Sequence, residues 1–340
     1  MQFAIFVAKR IAYSVVVLLG LSVLIFLISR VLPGNPARLA LGPYATQDQV
    51  VALEHQMGLD KPLPIQYWMY LVGLFQGDFG MSFQTRRNVL DDIVHYLPAT
   101  VELVAISMLW IGFIGIPLGT LSAQHKDTWL DNVTRVFAFA GVAIAPFVVA
   151  LLLQFFGAYI IHIFPATGRL GIMVPPPMKH TGFYLIDSLI AGDLRAFGDA
   201  LWHLILPSFA LALGGLSQIA RISRASTSDI LESNYIEAAR GFGIPDKAIM
   251  KKYAMKPSLI PTITVLGLTF ASSIGNAFLI EQVFSWPGLA KYGVRAILRK
   301  DFNAVMSSVL VIGVVFFVSN FIVDILIGYL DPRSRLRKET

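Results

Sequence analysis

The reactive residue types in this 340-residue chain are few, and their spacing excludes most chemistry. There is no cysteine, so disulfides, thiolate metal sites and a thiol nucleophile are all ruled out. The six histidines (His55, His95, His125, His162, His180 and His203) include no H-x-x-x-H pair, the spacing that puts two zinc ligands on one helix face. No Gly-Lys dipeptide occurs, so the G-x-x-x-x-G-K-[ST] phosphate loop is absent and the chain cannot by itself hydrolyse ATP in that manner. Three acids, Glu102, Glu281 and Asp324, sit at or near the ends of apolar runs. A carboxylate within a membrane marks a substrate pathway or a proton relay, whereas one at a hydrated helix end or in an interhelical hydrogen bond is structural. The end positions favour structure. The reading is of a non-enzyme with no cofactor or metal of its own.

The remaining pattern is mechanical rather than chemical, and it lies in the segment 221–256. Asn234 followed by Glu237 predicts an N-terminal cap, with the Asn side chain taking an orphan amide and the carboxylate reaching back. A short helix then runs through Tyr235, Ile236, Ala238 and Ala239, and Gly241 and Gly243 stop it. Pro245 and Asp246 open a second helix carrying Ile249, Met250 and Tyr253, and Pro257 closes it. Small residues at Ala238, Ala239 and Gly243 leave backbone near the surface, where another protein can approach. A solvated basic loop lying on lipid would carry the same charge, but the order of cap, glycine and proline favours a rigid docking element.

The elements that position this segment follow from composition. Hydrophobic residues make up 56% of the chain and charged residues only 14%, against about 25% in a soluble domain. Mean hydropathy is +0.67. One core cannot hide so much apolar surface, so the chain reads as a polytopic membrane protein. Stretches free of Asp, Glu, Lys and Arg predict six spans at 11–29, 103–124, 136–161, 200–220, 257–280 and 302–323. Pro117 and Pro146 are expected to bend the second and third. The first run is longer than a signal-peptide core and lacks an A-x-A site, so it reads as an uncleaved anchor. Most of the 27 Lys and Arg fall in 1–10, 125–135, 221–256 and 331–340, which places those pieces and both termini in the cytoplasm. The net charge of +6 is thereby assigned to the membrane surface and not to nucleic acid.

Four parts are expected: an N-terminal transmembrane helix at 1–31, an external segment at 32–98, a five-helix core at 99–330 containing the loop 221–256, and a basic tail at 331–340. The external segment has its own signals. Thr46 and Gln49 make a capping box, Val50, Leu53 and Met57 recur at helical spacing, and Gly58 is a stop. Ile65, Trp68, Met69, Val72 and Phe75 form a second apolar stripe, too short to span. It reads as an interfacial helix with Tyr67, Trp68 and Tyr70 in the aromatic belt, or as a docking surface for an external partner. Gly115-Ile116-Pro117-Leu118-Gly119 is a G-x-x-x-G pattern expected to pack spans together.

At Glu237-Ala238-Ala239-Arg240-Gly241-Phe242-Gly243 the sequence resembles the permease subunits of ATP-binding-cassette importers, whose cytoplasmic signature is E-A-A-x-x-x-G. Where that pattern continues with an apolar pair and a proline, Tyr253, Met255 and Pro257 stand here. Other segments resemble more narrowly the B-type permeases of the dipeptide/oligopeptide family. They are Leu32-Pro33-Gly34-Asn35-Pro36, Gly77-Asp78-Phe79-Gly80, Leu97-Pro98-Ala99-Thr100-Val101-Glu102-Leu103, Phe284-Ser285-Trp286-Pro287-Gly288-Leu289 and Leu330-Asp331-Pro332-Arg333. The resemblance runs from the first span to the C-terminus. It implies an all-α type I importer fold and a second homologous permease. It also implies two cytoplasmic ATPases, which hold ATP and magnesium, and an external binding protein. Docking of the ATPases is implied for Glu237, Ala238, Ala239, Arg240, Gly243 and Tyr253. The implied cargo is a di- or oligopeptide, with oligosaccharides and nickel chelates as alternatives. An ion-driven secondary transporter would need broken midplane helices and internal repeats, and an intramembrane enzyme a convergent reactive pair; neither is visible.

Overall fold

The computed structural model of the chain describes residues 2–31, 35–42 and 44–330. The basic tail, the Asp331-Pro332-Arg333 motif, residues Leu32, Pro33 and Gly34, and the side chain of Asp324 lie outside the described residues. Helices dominate. In chain order they are α1 (Gln2–Val31), α2 (Pro36–Leu41), α3 (Gln47–Gln56), α4 (Leu63–Gln76), α5 (Val89–Gln124), α6 (Trp129–Ala143) and α7 (Pro146–Ile160). They continue with α8 (Tyr184–Ile190), α9 (Leu194–Leu231), α10 (Asn234–Gly241), α11 (Asp246–Val283), α12 (Leu289–Leu298) and α13 (Phe302–Leu330). Among the described residues the only β pairing is a single bridge between Met81 and Asn88.

Among the described residues, five helices are long and apolar enough to cross a bilayer: Arg10–Arg30 of α1, then α5, α9, α11, and Phe302–Val323 of α13. A sixth crossing exists only if α6 and α7 are taken together, and they meet at 101°. The all-α polytopic class stands, and the third span expected at 136–161 with a bend at Pro146 appears as this sharply bent pair. The cause is Pro146. It offers no N–H to the preceding turn, and Ala145 before it is extended (φ −62°, ψ 135°). Pro117 behaves differently. A wide turn at Ile111–Gly115 precedes it, and α5 continues through the proline without a break.

By contacts the chain divides into two compact units. One comprises Phe3–Thr100 and Pro287–Val315. Its core joins Phe26 of α1, Val89 and Ile93 of α5, Leu289 and Tyr292 of α12, and Val305 and Met306 of α13. The 287–315 stretch, expected in the permease core, thus packs with the N-terminal segment, because α12 turns Leu289, Tyr292 and Ala296 into that cluster. The capping box of Thr46 and Gln49 forms as expected, and Gly58 ends that region at φ +66°. In α4, Trp68 is exposed, but Tyr67 and Tyr70 do not join it in a belt. They pack on Phe26, with ring centroids at 5.4 and 6.0 Å, and the Tyr67 hydroxyl is 2.8 Å from Ser22 Oγ. Asp301, fully buried, takes hydrogen bonds from Ser82 Oγ (2.6 Å) and Gln84 N (3.1 Å), and so fixes the 80–88 loop to the start of α13.

The other unit comprises Val101–Trp286 and the described part of Phe316–Thr340. Its axis is α9, which packs against α5, α6 and α11 over the buried cluster of Ile111, Ala212, Leu216 and Ile219. Close approach depends on small residues. A Cβ at Gly119 would lie 2.4 Å from Ala220 O and 2.8 Å from Arg224 N, and one at Gly115 would lie 3.1 Å from Leu216 O. The G-x-x-x-G pattern therefore packs α5 on α9. Gly119→Val is expected to destabilise the detergent-purified chain by about 1–3 kcal/mol through overpacking against backbone. Gly275→Ala, where an added Cβ meets nothing, should be neutral. Thermal unfolding of the two variants checks this, and equal midpoints would remove the packing argument.

Candidate coupling site

The segment 221–256 is built in three pieces. α9 continues eleven residues past the apolar run that ended at Ala220, so Arg221 to Leu231 are helical and not loop. α10 follows after a two-residue turn. Its N-terminal cap is Ser233 (φ −76°, ψ 147°), and not Asn234. Ser233 Oγ donates to Ile230 O (2.5 Å), so its side chain does not cap, and with the register shifted by one Glu237 lies too far along to reach back. The expected capping box is thus absent. Glu237 instead sits exposed in the first turn, where its charge complements the helix dipole.

The C-terminal end of α10 forms as the glycines predict. Gly243 is left-handed at φ +77°, Gly243 N donates to Arg240 O (2.9 Å) and Ile244 N to Ala239 O (3.2 Å). That pair of bonds is the Schellman closure, and glycine adopts its backbone without strain. A Cβ placed on Gly243 meets nothing within 4 Å, so the residue faces open space. The chain then turns through Pro245, which is the cap of α11 and one residue earlier than the N1 position expected. Pro257 does not close the helix. A wide turn at Ile249–Ala254 runs straight into the long apolar helix, and Met255 N bonds Met250 O across five residues, so the amide that Pro257 lacks falls where the ladder is already re-spaced. The two helices are therefore one separate turn-bounded helix and the leading end of a span.

Packing sorts the predicted residues onto two faces. Ile236, Ala239, Ile249, Met250 and Ala254 form a small buried core, flanked by Ile230, Leu231 and Ile244. Ala239 thus faces inward, with its methyl group filling the α10–α11 contact, whereas Ala238 and Gly243 face outward. Glu237, Ala238, Arg240, Gly243 and Tyr253 are on the outer face, with Tyr235 and Phe242 (85% exposed) beside them. Arg240 Nε is 3.2 Å from Asp246 Oδ1, an exposed pair bridging the turn. The aromatic residues Tyr235 and Phe242 were not singled out from sequence, although their spacing around the E-A-A-x-x-x-G stretch was the available signal.

The membrane-end acids divide differently. Glu102 is buried and ion-paired with Arg169, takes a hydrogen bond from Leu185 N (2.8 Å), and so ties the 161–193 loop to α5. The Arg169 guanidinium lies 3.6 Å from the Tyr184 ring centroid. That arginine had no marker in the sequence, since a lone basic residue in a long loop reads as solvated. Glu281 is fully buried at the end of α11. Below α9, Asp131 is fully buried and bound by Arg224 through Nε and Nη2 (the latter 2.8 Å), by Arg135 Nη2 (2.6 Å), by Ser122 Oγ and by Asp127 N (3.1 Å). Outside the spans, Lys126 Nζ lies 2.6 Å from Glu232 Oε1, and that hydrogen bond holds the Glu232 carboxyl below its ordinary range.

Apolar helices packed closely on one axis, with a two-faced loop at its end, describe a polytopic helical membrane protein. The chain belongs to the family of binding-protein-dependent transport system inner membrane components, matching that family over residues 115–336 and its N-terminal region over residues 3–104. It is 40% identical to the "Probable D,D-dipeptide transport system permease protein DdpB" of Escherichia coli (strain K12), over 94% of each chain. It is 35% identical to the "Dipeptide transport system permease protein DppB" of Alkalihalophilus pseudofirmus, over 96% of this chain and 98% of that one. Identity to the "Glutathione transport system permease protein GsiC" of Salmonella choleraesuis is 31%, over 98% and 99% of the two chains. The importer-permease reading is borne out over the secondary-transporter and enzyme alternatives.

The inner face of the loop makes a separate prediction. Ile236→Ala removes buried methyl groups from a core of five residues and is expected to cost about 2–4 kcal/mol. The loss should appear as faster amide hydrogen exchange in 234–254 with the span helices unchanged; uniform exchange across the chain would show that this core is not a local unit.

Proposed function

We propose that this permease forms half of a translocation path for di- or oligopeptides, pairing with a second homologous permease and receiving cargo from an external binding protein. Two ATPases on the cytoplasmic side hold ATP and magnesium and dock on the outer face of 221–256. The observation that carries the coupling assignment is the two-faced construction of that loop. An apolar inner core fixes its shape, and an open face holding Glu237, Ala238, Arg240, Gly243, Tyr235, Phe242 and Tyr253 is left for a partner. Peptide cargo is supported by the relatives, which include dipeptide and D,D-dipeptide transport permeases. The buried ion pair of Glu102 with Arg169 supports a structural role for that acid over a place in the cargo path.

Docking is tested by Gly243→Val. A branched side chain at φ +77° is strained by about 1 kcal/mol or more and projects into open space where the partner lies. The variant should insert normally, lose its ATPases on purification and lose uptake. Glu237→Ala should act less severely, and through the partner, since Glu237 makes no cap. Gly243→Val that keeps its ATPases and transports like the wild type would falsify the docking assignment. Cargo is tested by uptake of radiolabelled L-Ala-L-Ala and D-Ala-D-Ala, alongside the ligand retained by the binding protein; a retained oligosaccharide or nickel chelate would redirect the assignment.

Both termini are proposed to be cytoplasmic. Single cysteines introduced into this Cys-free chain report it, and the sites must be exposed. Ser82 and Thr227 are buried and unsuited, whereas Gln76 and Lys247 are exposed. In intact cells an impermeant maleimide should label Gln76→Cys and spare Lys247→Cys; the reverse pattern would invert the topology.

A further inference from the structure

The cytoplasmic-end charges raise a question that docking alone does not answer: how movement of a loop reaches the spans. α9 projects eleven residues, roughly 16 Å, beyond its apolar run before the loop begins. α10 packs on Ile230 and Leu231 at the tip of that projection, so the loop is seated directly on the tip. A lone helix of that length would bend under load, but this one is braced. Arg224, one turn past Ala220, grips Asp131 through two nitrogens. Asp131 is also bound by Ser122 at the end of α5, by Asp127 N in the turn 125–128, and by Arg135 of α6. The turn itself is held in an unusual shape, with Asp127 at φ +62°. Farther out, Lys126 of the same turn meets Glu232, the residue that ends α9. Ser226 Oγ binds Ser258 O of α11 on the other side (2.9 Å).

We propose that Asp131 is a positioning residue for coupling: it joins the ends of α5, α6 and α9 into one strut, so that a displaced docking loop moves all three together. The charge pair acts as a joint and touches no cargo. Burial is what suits it to this work, because a fully enclosed carboxylate with every oxygen bonded cannot exchange its partners for water as the helix is loaded. The proposal rests on the reading of 221–256 as the ATPase dock.

The test uses the assembled transporter in proteoliposomes, with ATP hydrolysis read without and with the external binding protein as purified. Asp131→Asn is expected to keep its ATPases through purification and to keep basal hydrolysis, while stimulation by the binding protein falls at least about fivefold. Arg224→Lys retains a charge but not the two-nitrogen grip, and serves if Asp131→Asn fails to insert; the same loss is expected. In the Arg224→Lys background, Lys126→Cys with Glu232→Cys bridged by a short bis-maleimide should restore stimulation. General destabilisation would not be repaired by a bridge at the far end of the strut. Unchanged stimulation in the variants, or no recovery on bridging, overturns the proposal. Loss of the ATPases from Asp131→Asn overturns it too, because the residue would then serve docking. Failure of the docking reading is seen separately, in a Gly243→Val complex that retains its ATPases.

Discussion

The close approach of neighbouring helices to the backbone of α9 is the constraint on which the permease unit depends. In a bilayer, lipid tails are as apolar as leucine, so there is no hydrophobic gain in pressing one apolar helix on another; contact area and short interhelical distances must do the work. Gly141 illustrates the limit. A Cβ there would fall 2.0 Å from Ser217 Oγ, so α6 sits against α9 with only the Ser217 side chain between them. Gly119 does the same from α5, and Gly215 does it from α9 itself, where a Cβ would meet Ile111 and Thr269 at 2.7 Å. Four helices are thereby gathered on one axis, and everything that extends from that axis, including the docking loop, inherits its position. At Gly119, where backbone atoms stand in the way, a bulkier residue would shift a whole helix and not one contact.

Once helices are that close, any charge between them has to be matched in place. Asp131, Glu102 and Asp301 are all buried, and each is answered by donors from other elements: Arg224 and Ser122, Arg169 and Leu185 N, Ser82 and Gln84 N. Desolvating a carboxylate is costly, and removal of one partner from a buried pair typically costs about 3–5 kcal/mol because the other is stranded. Such pairs are therefore poor contributors to net stability and good fixers of geometry. In this chain they stand where loops meet helix ends: 125–128 on α9, 161–193 on α5, 80–88 on α13. The acids thus tie irregular backbone to the helical frame, which agrees with their placement near span ends.

Local signals in the sequence were legible where the deciding physics is local. The Thr46–Gln49 box, the left-handed Gly243 and the G-x-x-x-G contact of Gly115 and Gly119 each depend on a few neighbouring residues, and each appears in the structure. Composition alone was enough for the polytopic helical class. Misreadings arose where neighbours decide. Pro257 looked like a stop, yet the wide turn before it re-spaces the ladder and the helix continues. Pro146 looked like a bend, yet with Ala145 extended it became a corner of 101°. The cap of α10 moved from Asn234 to Ser233, and with it the supposed role of Glu237. Arg169 could not be found at all, because its partner Glu102 is 67 residues away and its aromatic neighbour Tyr184 opens α8, a short helix that the sequence pattern did not predict.

The construction of the loop bears on how force could pass through it. Its inner core is small, only five buried residues, but it joins α10 to both the tip of α9 and the start of α11. Two helices that reach far into the membrane unit are thus joined at their ends through the buried face of α10, whose own C-terminal end is closed by a Schellman turn. A flexible linker of the same length would absorb a partner's push by rearranging its own dihedrals. Here the backbone bonds at Arg240 and Ala239 are already made, the glycine is already in its one demanding conformation, and the apolar face is already buried. Little freedom is left inside the loop, so a push on its outer face is more readily answered by motion of α9 and α11 than by deformation of α10. Stiffness at this point and close packing along the axis are therefore complementary: the first passes a displacement to the helices, and the second keeps those helices from moving independently once they receive it.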